Sequence, residues 1–162
     1  MKRLWAPWRM EYLQAGGADE CIFCVGNDPG EDRERLILFR GTRSFVIMNR
    51  YPYANGHLMV APYRHLGDPE ALSREESLEM HHLTVACLGA LRACGAPDGF
   101  NLGMNIGDAA GAGIADHIHQ HIVPRWSGDT NFMPVFAEVR VVPEHLEATW
   151  RQLHDWFAGF SL

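Results

Sequence analysis

Residues 116–126 read Asp116-His117-Ile118-His119-Gln120-His121-Ile122-Val123-Pro124-Arg125-Trp126, which sets three histidines at two-residue spacing. Side chains of an extended chain alternate between faces, so His117, His119 and His121 share one face while Ile118, Gln120 and Ile122 share the other. The spacing therefore predicts a strand carrying a row of imidazoles about 7 Å apart. One ring can act on a ligand while its neighbours bind the ligand's oxygens or a metal. Pro124 has no N–H to donate and is expected to end the ladder. A lone histidine is most often a satisfied core or surface group. Three on one face, flanked by branched apolar residues, point to a functional site.

Working outward, Gly107 to Gly113 is a small-residue loop immediately before the histidine strand, where backbone amides can approach a phosphate closely. Phe100 to Ile106 reads as the strand preceding it. Ser73 followed by Glu75 and Glu76 is an N-cap with an acidic first turn. Leu78, Leu83, Val85, Leu88 and Leu91 then recur near helical spacing, so a helix is expected from Arg74 to Ala93, closed by Gly95 and Pro97. His81 and His82 read as surface residues of that helix, and the seven-residue spacing of Cys87 and Cys94 suits packing. Arg35 to Arg40 and Ser44 to Asn49 form an expected hairpin around Gly41-Thr42, and His57 to Ala61 is a further strand ended by Pro62. Pro143 opens a last amphipathic helix to about Ala158, with Leu146, Trp150, Leu153 and Phe157 on one stripe. Strands on both sides of one long helix, with a helix after them, predict an α+β chain with a mainly antiparallel sheet.

Cys21-Ile22-Phe23-Cys24 is a Cys-x-x-Cys knuckle, which supplies half of a tetrahedral metal site. His65 lies three residues beyond Pro62, where it can reach across to the knuckle. The first twenty residues form an aromatic arm in which Trp5, Trp8 and Arg9 have two readings: a cover over core surface, or a border to the base or phosphates of a nucleotide.

The chain has 162 residues, 47% of them apolar, which is enough for one domain, residues 1–162, with a sizeable core. A net charge of -6 and a pI near 5.8 argue against a nucleic-acid binder, which needs a basic face. A small anionic ligand needs only a local set of imidazoles, amides and an arginine. No run of eighteen apolar residues predicts a membrane span, and Met1 to Pro7 lacks the apolar core of a signal peptide. The cytoplasm is the expected compartment, with four cysteines as thiols or metal ligands.

The His-x-His-x-His-x-x pattern of His117 to Val123 resembles the signature of the histidine triad (HIT) superfamily of nucleotide hydrolases and transferases. Leu4 to Met10, Cys21 to Cys24, Asn55 to Pro62, Phe100-Asn101 and Gly128 to Met133 are similar to the branch containing bacterial diadenosine tetraphosphate phosphorylases. This resemblance implies a HIT-like half-barrel sheet paired across a two-fold homodimer. It also implies cleavage of a dinucleoside polyphosphate through a nucleotidyl-histidine. His119 would be the nucleophile, with His121 and His57 as donors around the same phosphate, joined by Asn105 and the amides of the loop holding Gly111 and Gly113. Asn49 matches a position that contacts ribose. In zinc-containing relatives the first triad histidine joins two cysteines and a further histidine, so Cys21, Cys24, His65 and His117 would form a closed structural zinc site. Gly113 stands where relatives often carry a polar Gln or Ser, so an amide or another side chain substitutes there.

Two other function classes fit the histidine strand. A metallohydrolase would chelate an open catalytic metal through His117 and His119. A slow nucleotide-binding regulatory module would keep the triad but turn over little. Neither sequence nor resemblance separates hydrolysis from phosphorolysis. For assembly, the open edge of a half-barrel and the surplus of Trp5, Trp8, Trp150, Trp156 and Phe160 over one small core also favour a homodimer.

Overall fold

A computed structural model describes residues 21–129 and 146–162. The aromatic arm with Trp5, Trp8 and Arg9, the apolar stretch leading to Val142, and Pro143 lie outside the described residues. Five antiparallel strands, β1 (Ile37–Arg40), β2 (Ser44–Met48), β3 (Leu58–Pro62), β4 (Gly99–Gly103) and β5 (Gln120–Arg125), form one sheet in the order β1-β2-β3-β5-β4. A short turn of helix, α1 (Asp32–Arg35), precedes β1; α2 (Arg74–Gly95) links β3 to β4; α3 (Leu146–Ala158) follows β5. The α+β architecture and the antiparallel sheet are those expected from the sequence.

Both long helices cover one sheet face. Val46, Met48, Leu58, Val60 and Ile122 project from the strands into a core with Met80, Leu83, Cys87 and Leu91 of α2 and Trp150, Leu153 and Phe157 of α3. The stripe read from α3 is thus the buried one, and Trp150 donates its indole N–H to the Ile37 carbonyl at 3.2 Å. On α2 the apolar reading was only partly right, because Leu78 and Val85 are 55% and 52% exposed. The opposite sheet face carries the smaller cluster of Phe23, Ile37, Phe45, Ile47, Met59 and Ala61, with His121 continuing it on β5.

Several boundaries moved for physical reasons. Arg35 belongs to α1, and Leu36 takes a left-handed backbone (φ 63) that ends the turn before β1 starts. Helix α2 runs through Gly95, and Ala96 (φ 42) rather than Gly95 makes its left-handed cap. Trp126 holds Gly95 in the last turn, since its indole donates to the Gly95 carbonyl at 3.1 Å. Pro124 does not end β5. It pairs with Phe100 on the β4 side, whereas the β3 ladder already stops at Leu58 opposite Ile122, so no β3 partner asks for its missing donor. Strand β4 ends at Gly103, opposite His121, and does not continue to Ile106.

The entry to α2 is tightly specified. Ser73 Oγ accepts from the Glu76 amide at 3.1 Å and Glu76 accepts from the Ser73 amide at 2.7 Å, a reciprocal capping box. Arg64 adds two hydrogen bonds to the same carboxylate, which ties the β3–α2 connection to the helix. Arg64's hydrogen bonds, with the amide of Ser73, hold the Glu76 carboxyl down at about 2. A depressed carboxylate stabilises the fold above its ordinary pKa and loses that contribution as pH falls toward the folded value. Glu76→Ala is expected to lower stability by about 1–2 kcal/mol near neutral pH. Urea unfolding should show the gap to wild type narrowing by about pH 3. An unchanged gap there would contradict the ionised cap.

Candidate active site and metal centre

The histidine segment is strand-like only at its end, because β5 begins at Gln120. His117 and His119 lie on the lead-in to β5, whose amide at Ile118 donates to the Leu66 carbonyl at 2.7 Å rather than to β3. The connection after β3 is pressed against this lead-in. A side chain at Gly67 would place a Cβ 2.6 Å from the Ala115 carbonyl, so only glycine permits the approach. That approach carries His65 to His117, with ring centroids 5.2 Å apart.

Opposite them, the Cys24 amide donates to the Cys21 carbonyl at 3.0 Å and closes the knuckle turn. Cys21 Sγ then lies 3.4 Å from His117 Nδ1, and Cys24 Sγ lies 3.3 Å from His65 Nδ1 and 3.9 Å from His117 Nδ1. The four donor atoms of Cys21, Cys24, His65 and His117 are all within 4.8 Å of one another. Ligands about 2.0–2.3 Å from a single zinc ion need little further convergence. The ring chemistry fits as well: His117 Nε2 is 2.8 Å from the Pro62 carbonyl, which can only accept, so Nε2 carries the proton and Nδ1 turns a lone pair to the thiols. Burial raises the Cys24 thiol, as does the neighbouring Cys21, which is what two thiols crowded together without a cation should do.

His119 and His121 have a different setting. His119 Nδ1 lies 2.8 Å from the His117 carbonyl and must donate to it, so Nε2 holds the lone pair. His119 is 6% exposed, and burial lowers its pKa, which keeps the ring neutral. Phe23 from the knuckle lies against it, ring centroids 4.5 Å apart. For His121 the tautomer follows from a relay. The Tyr53 amide donates to His57 Nδ1 at 3.1 Å, so His57 carries its proton on Nε2 and donates it to His121 Nδ1 at 3.0 Å. His121 is therefore left with Nε2–H, a buried donor with no partner among the described residues. Burial, then the neighbouring His119, hold its pKa down at about 4. Side by side, with ring centroids 4.7 Å apart, the two histidines present one lone pair and one N–H.

This donor set sorts the expected site residues. His57 is fully buried and reaches the site through His121 rather than by facing it. The Asn49 side chain is 3.3 Å from His57 Nδ1 and accepts from the Tyr51 amide at 2.9 Å, so it belongs to the same relay. Asn105 lines a groove with His121. In the glycine loop, Asp108–Ala110 form a tight turn between Gly107 (φ 75) and Gly111 (φ 81), and the Gly111 amide is used on the Asp108 carbonyl at 2.9 Å. A chelate of His117 with His119 is disfavoured, since His117 Nδ1 faces the thiols and His119 Nδ1 faces a carbonyl.

Comparison with known proteins identifies the family. The family model described as HIT domain matches residues 31–128. An AP-4-A phosphorylase of Mycobacterium tuberculosis is 36% identical over 94% of this chain and 83% of its own length. The chain belongs to the HIT family. As a HIT protein it is a nucleotide-processing enzyme, as the resemblance implied. Solved structures share the fold. A zinc-bound histidine triad protein from Mycobacterium smegmatis superposes with a TM-score of 0.64 at 24% identity, covering 86% of this chain and 94% of that one. A Plasmodium falciparum diadenosine triphosphate hydrolase gives a TM-score of 0.63 at 18% identity, covering 93% and 94%.

Two contributors to this HIT site escaped the sequence reading. Phe23 appeared only as filler between two cysteines, yet it packs on both His117 and His119. Tyr53 lay in a turn whose only signal was its aromatic character, yet its amide sets the relay and its ring stacks on His57 at 4.8 Å and 26°. Nitrogen-detected NMR is expected to show His119 protonated on Nδ1 and His57 and His121 protonated on Nε2. The reverse tautomer at His119 or His121 would contradict the assignment of lone pair and donor.

Proposed function

We propose that the protein cleaves dinucleoside polyphosphates of the diadenosine tetraphosphate type through a nucleotidyl intermediate on His119. The observation that carries this reading is the His119 ring, held by its Nδ1–H on a carbonyl so that Nε2 keeps the lone pair. In the first step the Nε2 lone pair bonds to the α-phosphorus, and the bridging P–O bond breaks with its electron pair leaving on the departing nucleotide. The His117 carbonyl accepts the Nδ1–H and so stabilises the positive ring that forms. His121 Nε2–H lies next to it, a donor for a phosphate oxygen as charge shifts. In the second step an oxygen of water or inorganic phosphate bonds to the same phosphorus, the N–P bond breaks, and the lone pair returns to His119. The sequence similarity to a protein named for phosphorolysis favours phosphate as acceptor.

Zinc fits the Cys21, Cys24, His65 and His117 cluster on donor type, spacing and tautomer. All four positions of a tetrahedral ion would be filled by protein, so zinc there would fix structure and offer no site for water. What His117 does for the reaction is to hold its carbonyl against His119. We also place the protein in the cytoplasm, in keeping with four free cysteines and no described helix long and apolar enough to cross a membrane.

A homodimer is supported by surface apolar residues next to a strand that has one neighbour among the described residues. Strand β4 is the last of the sheet among the described residues, Leu102 on it is 50% exposed, and Leu78 and Val85 of α2 are exposed as well. Between α2 and β4 runs a groove of about 380 Å³ lined by Leu72, Met80, His81, Leu102 and Met104. Pairing two β4 edges would cover strand and groove together.

His119→Gly is expected to lose more than about a thousandfold of the activity toward diadenosine tetraphosphate while its melting curve stays near wild type. Residual activity within about tenfold of wild type would exclude the nucleophile. Products separated with and without inorganic phosphate identify the acceptor: ADP in phosphate means phosphorolysis, and AMP in both means hydrolysis. Metal analysis should return about one zinc per chain, and Cys24→Ser should lower melting temperature more than it lowers the turnover of folded protein. A zinc-free, fully stable protein would rule the centre out.

A further inference from the structure

The four cysteines divide between the two faces of the sheet. Cys87 is buried in the core under α2, and Cys94, seven residues on along the same helix, turns its Sγ to the Gln152 carbonyl of α3 at 3.7 Å. That separation is about 10.5 Å of helix, too far for a disulfide. On the other face Cys21 packs against the cluster of Phe23, Phe45 and Met59, with Cys24 beside it. Of the four, only Cys21 and Cys24 bring their sulfurs together.

Their turn has the shape a disulfide needs. The Cys24 N–H donates to the Cys21 carbonyl at 3.0 Å and closes a four-residue turn, which holds the two Cα atoms within about 7 Å. Disulfides span about 4.4–6.8 Å between Cα atoms. The two Sγ atoms are no more than 4.8 Å apart, so side-chain rotation closes the gap to a bond of about 2.05 Å. Phe23 is 1% exposed and anchors the turn in the cluster, whereas Ile22 is 47% exposed and Cys24 is exposed too. A reagent from solvent therefore meets Cys24 first. Cys21, half-buried behind it, is the sulfur that can resolve the product.

The same sulfurs face ring nitrogens, Cys21 toward His117 Nδ1 and Cys24 toward His65 Nδ1. A disulfide sulfur carries neither a charge nor an S–H. Closing the bond leaves both rings without a thiol partner and leaves a metal with two ligands of four. In a reducing compartment disulfides are mostly transient and redox-sensing, which suits a surface pair of this kind.

We propose that Cys21 and Cys24 are a reversible dithiol–disulfide pair, oxidised by a small disulfide, whose closure dismantles the metal cluster. Cys24 Sγ attacks one sulfur of the small disulfide, forming a mixed disulfide and expelling the first small thiolate. Cys21 Sγ then attacks Cys24 Sγ and expels the second. Two electrons pass from the pair to the reagent, and the two thiol protons end on the two small thiols. With zinc in place of those protons, the ion goes to solvent with the two thiolates. The release of metal rests on the zinc centre proposed above; the disulfide does not.

The test incubates the reduced, purified protein with glutathione disulfide, blocks the remaining thiols, and maps the digest by mass. A chromophoric chelator follows zinc in parallel. The peptide holding both cysteines is expected lighter by two hydrogens and unblocked, with dithiothreitol restoring it, and zinc should appear at about one per disulfide over the same time course. Cys94→Ser, which removes the other exposed thiol, should give the same result. In Cys21→Ser the reaction should stop at a glutathione adduct on Cys24, an adduct about tenfold scarcer in wild type, where Cys21 resolves it. A lasting adduct on Cys24 of wild type, or both cysteines still open to blocking after Cys94 has reacted, would overturn the pair. The two proposals fail separately: a disulfide that forms in a protein without zinc loses only the metal, and a zinc protein whose two cysteines stay reduced loses only the pair.

Discussion

The hydrogen bond from His119 Nδ1 to the backbone carbonyl of His117, 2.8 Å long, is the contact on which the site depends. A neutral imidazole has one lone pair, and an acceptor at one nitrogen forces that pair to the other. The acceptor here is an oxygen of the neighbouring histidine, so its position is set by whatever fixes His117. That residue is fully buried and anchored by its ring, through Nε2 on Pro62 and Nδ1 toward Cys21 and Cys24. Phe23 links the same knuckle to the face of His119. The metal-type cluster and the His119–His121 pair are therefore connected. One orients the residue whose backbone orients the other.

A second chain of contacts does for His121 what His117 does for His119. The Tyr53 amide and the Asn49 side chain converge on His57 Nδ1, and His57 passes its proton direction to His121. The result is complementary: one ring offers a lone pair and its neighbour an N–H. Both are buried against the sheet, where desolvation keeps imidazoles uncharged and hydrogen bonds are stronger than in water. The two long helices cover the other face, while the histidine face carries the smaller cluster around Phe23.

Much of this was legible in residues 116–126. Alternation placed the three histidines on one side, and the apolar spacing of α3 predicted the residues it buries. The Cys-x-x-Cys knuckle and His65 were read as converging, and they do. What the sequence could not display were groups whose role lies in the backbone or in geometry between distant segments. The hydrogen bond from His57 to His121 and the approach of the Asn49 side chain to His57 join separate segments of the chain, so neither could be read from the local pattern. Pro124 reads as a strand breaker because the staggered end of β3, which removes the need for its N–H, is a property of the sheet and not of the segment. Leu78 and Val85 fit a helical apolar pattern but point outward, since the stripe facing the sheet follows Met80, Leu83, Cys87 and Leu91.

The central claim concerns a single bond, between Nε2 of His119 and the α-phosphorus. It is tested most directly by mixing the protein with diadenosine tetraphosphate, quenching within the first turnover, and mapping the labelled peptide by mass and phosphorus NMR. A nucleotidyl group on His119, joined through Nε2, is the predicted result. A label on His121, on His117 or through Nδ1 of His119, or turnover with no covalent label at any time, would contradict it.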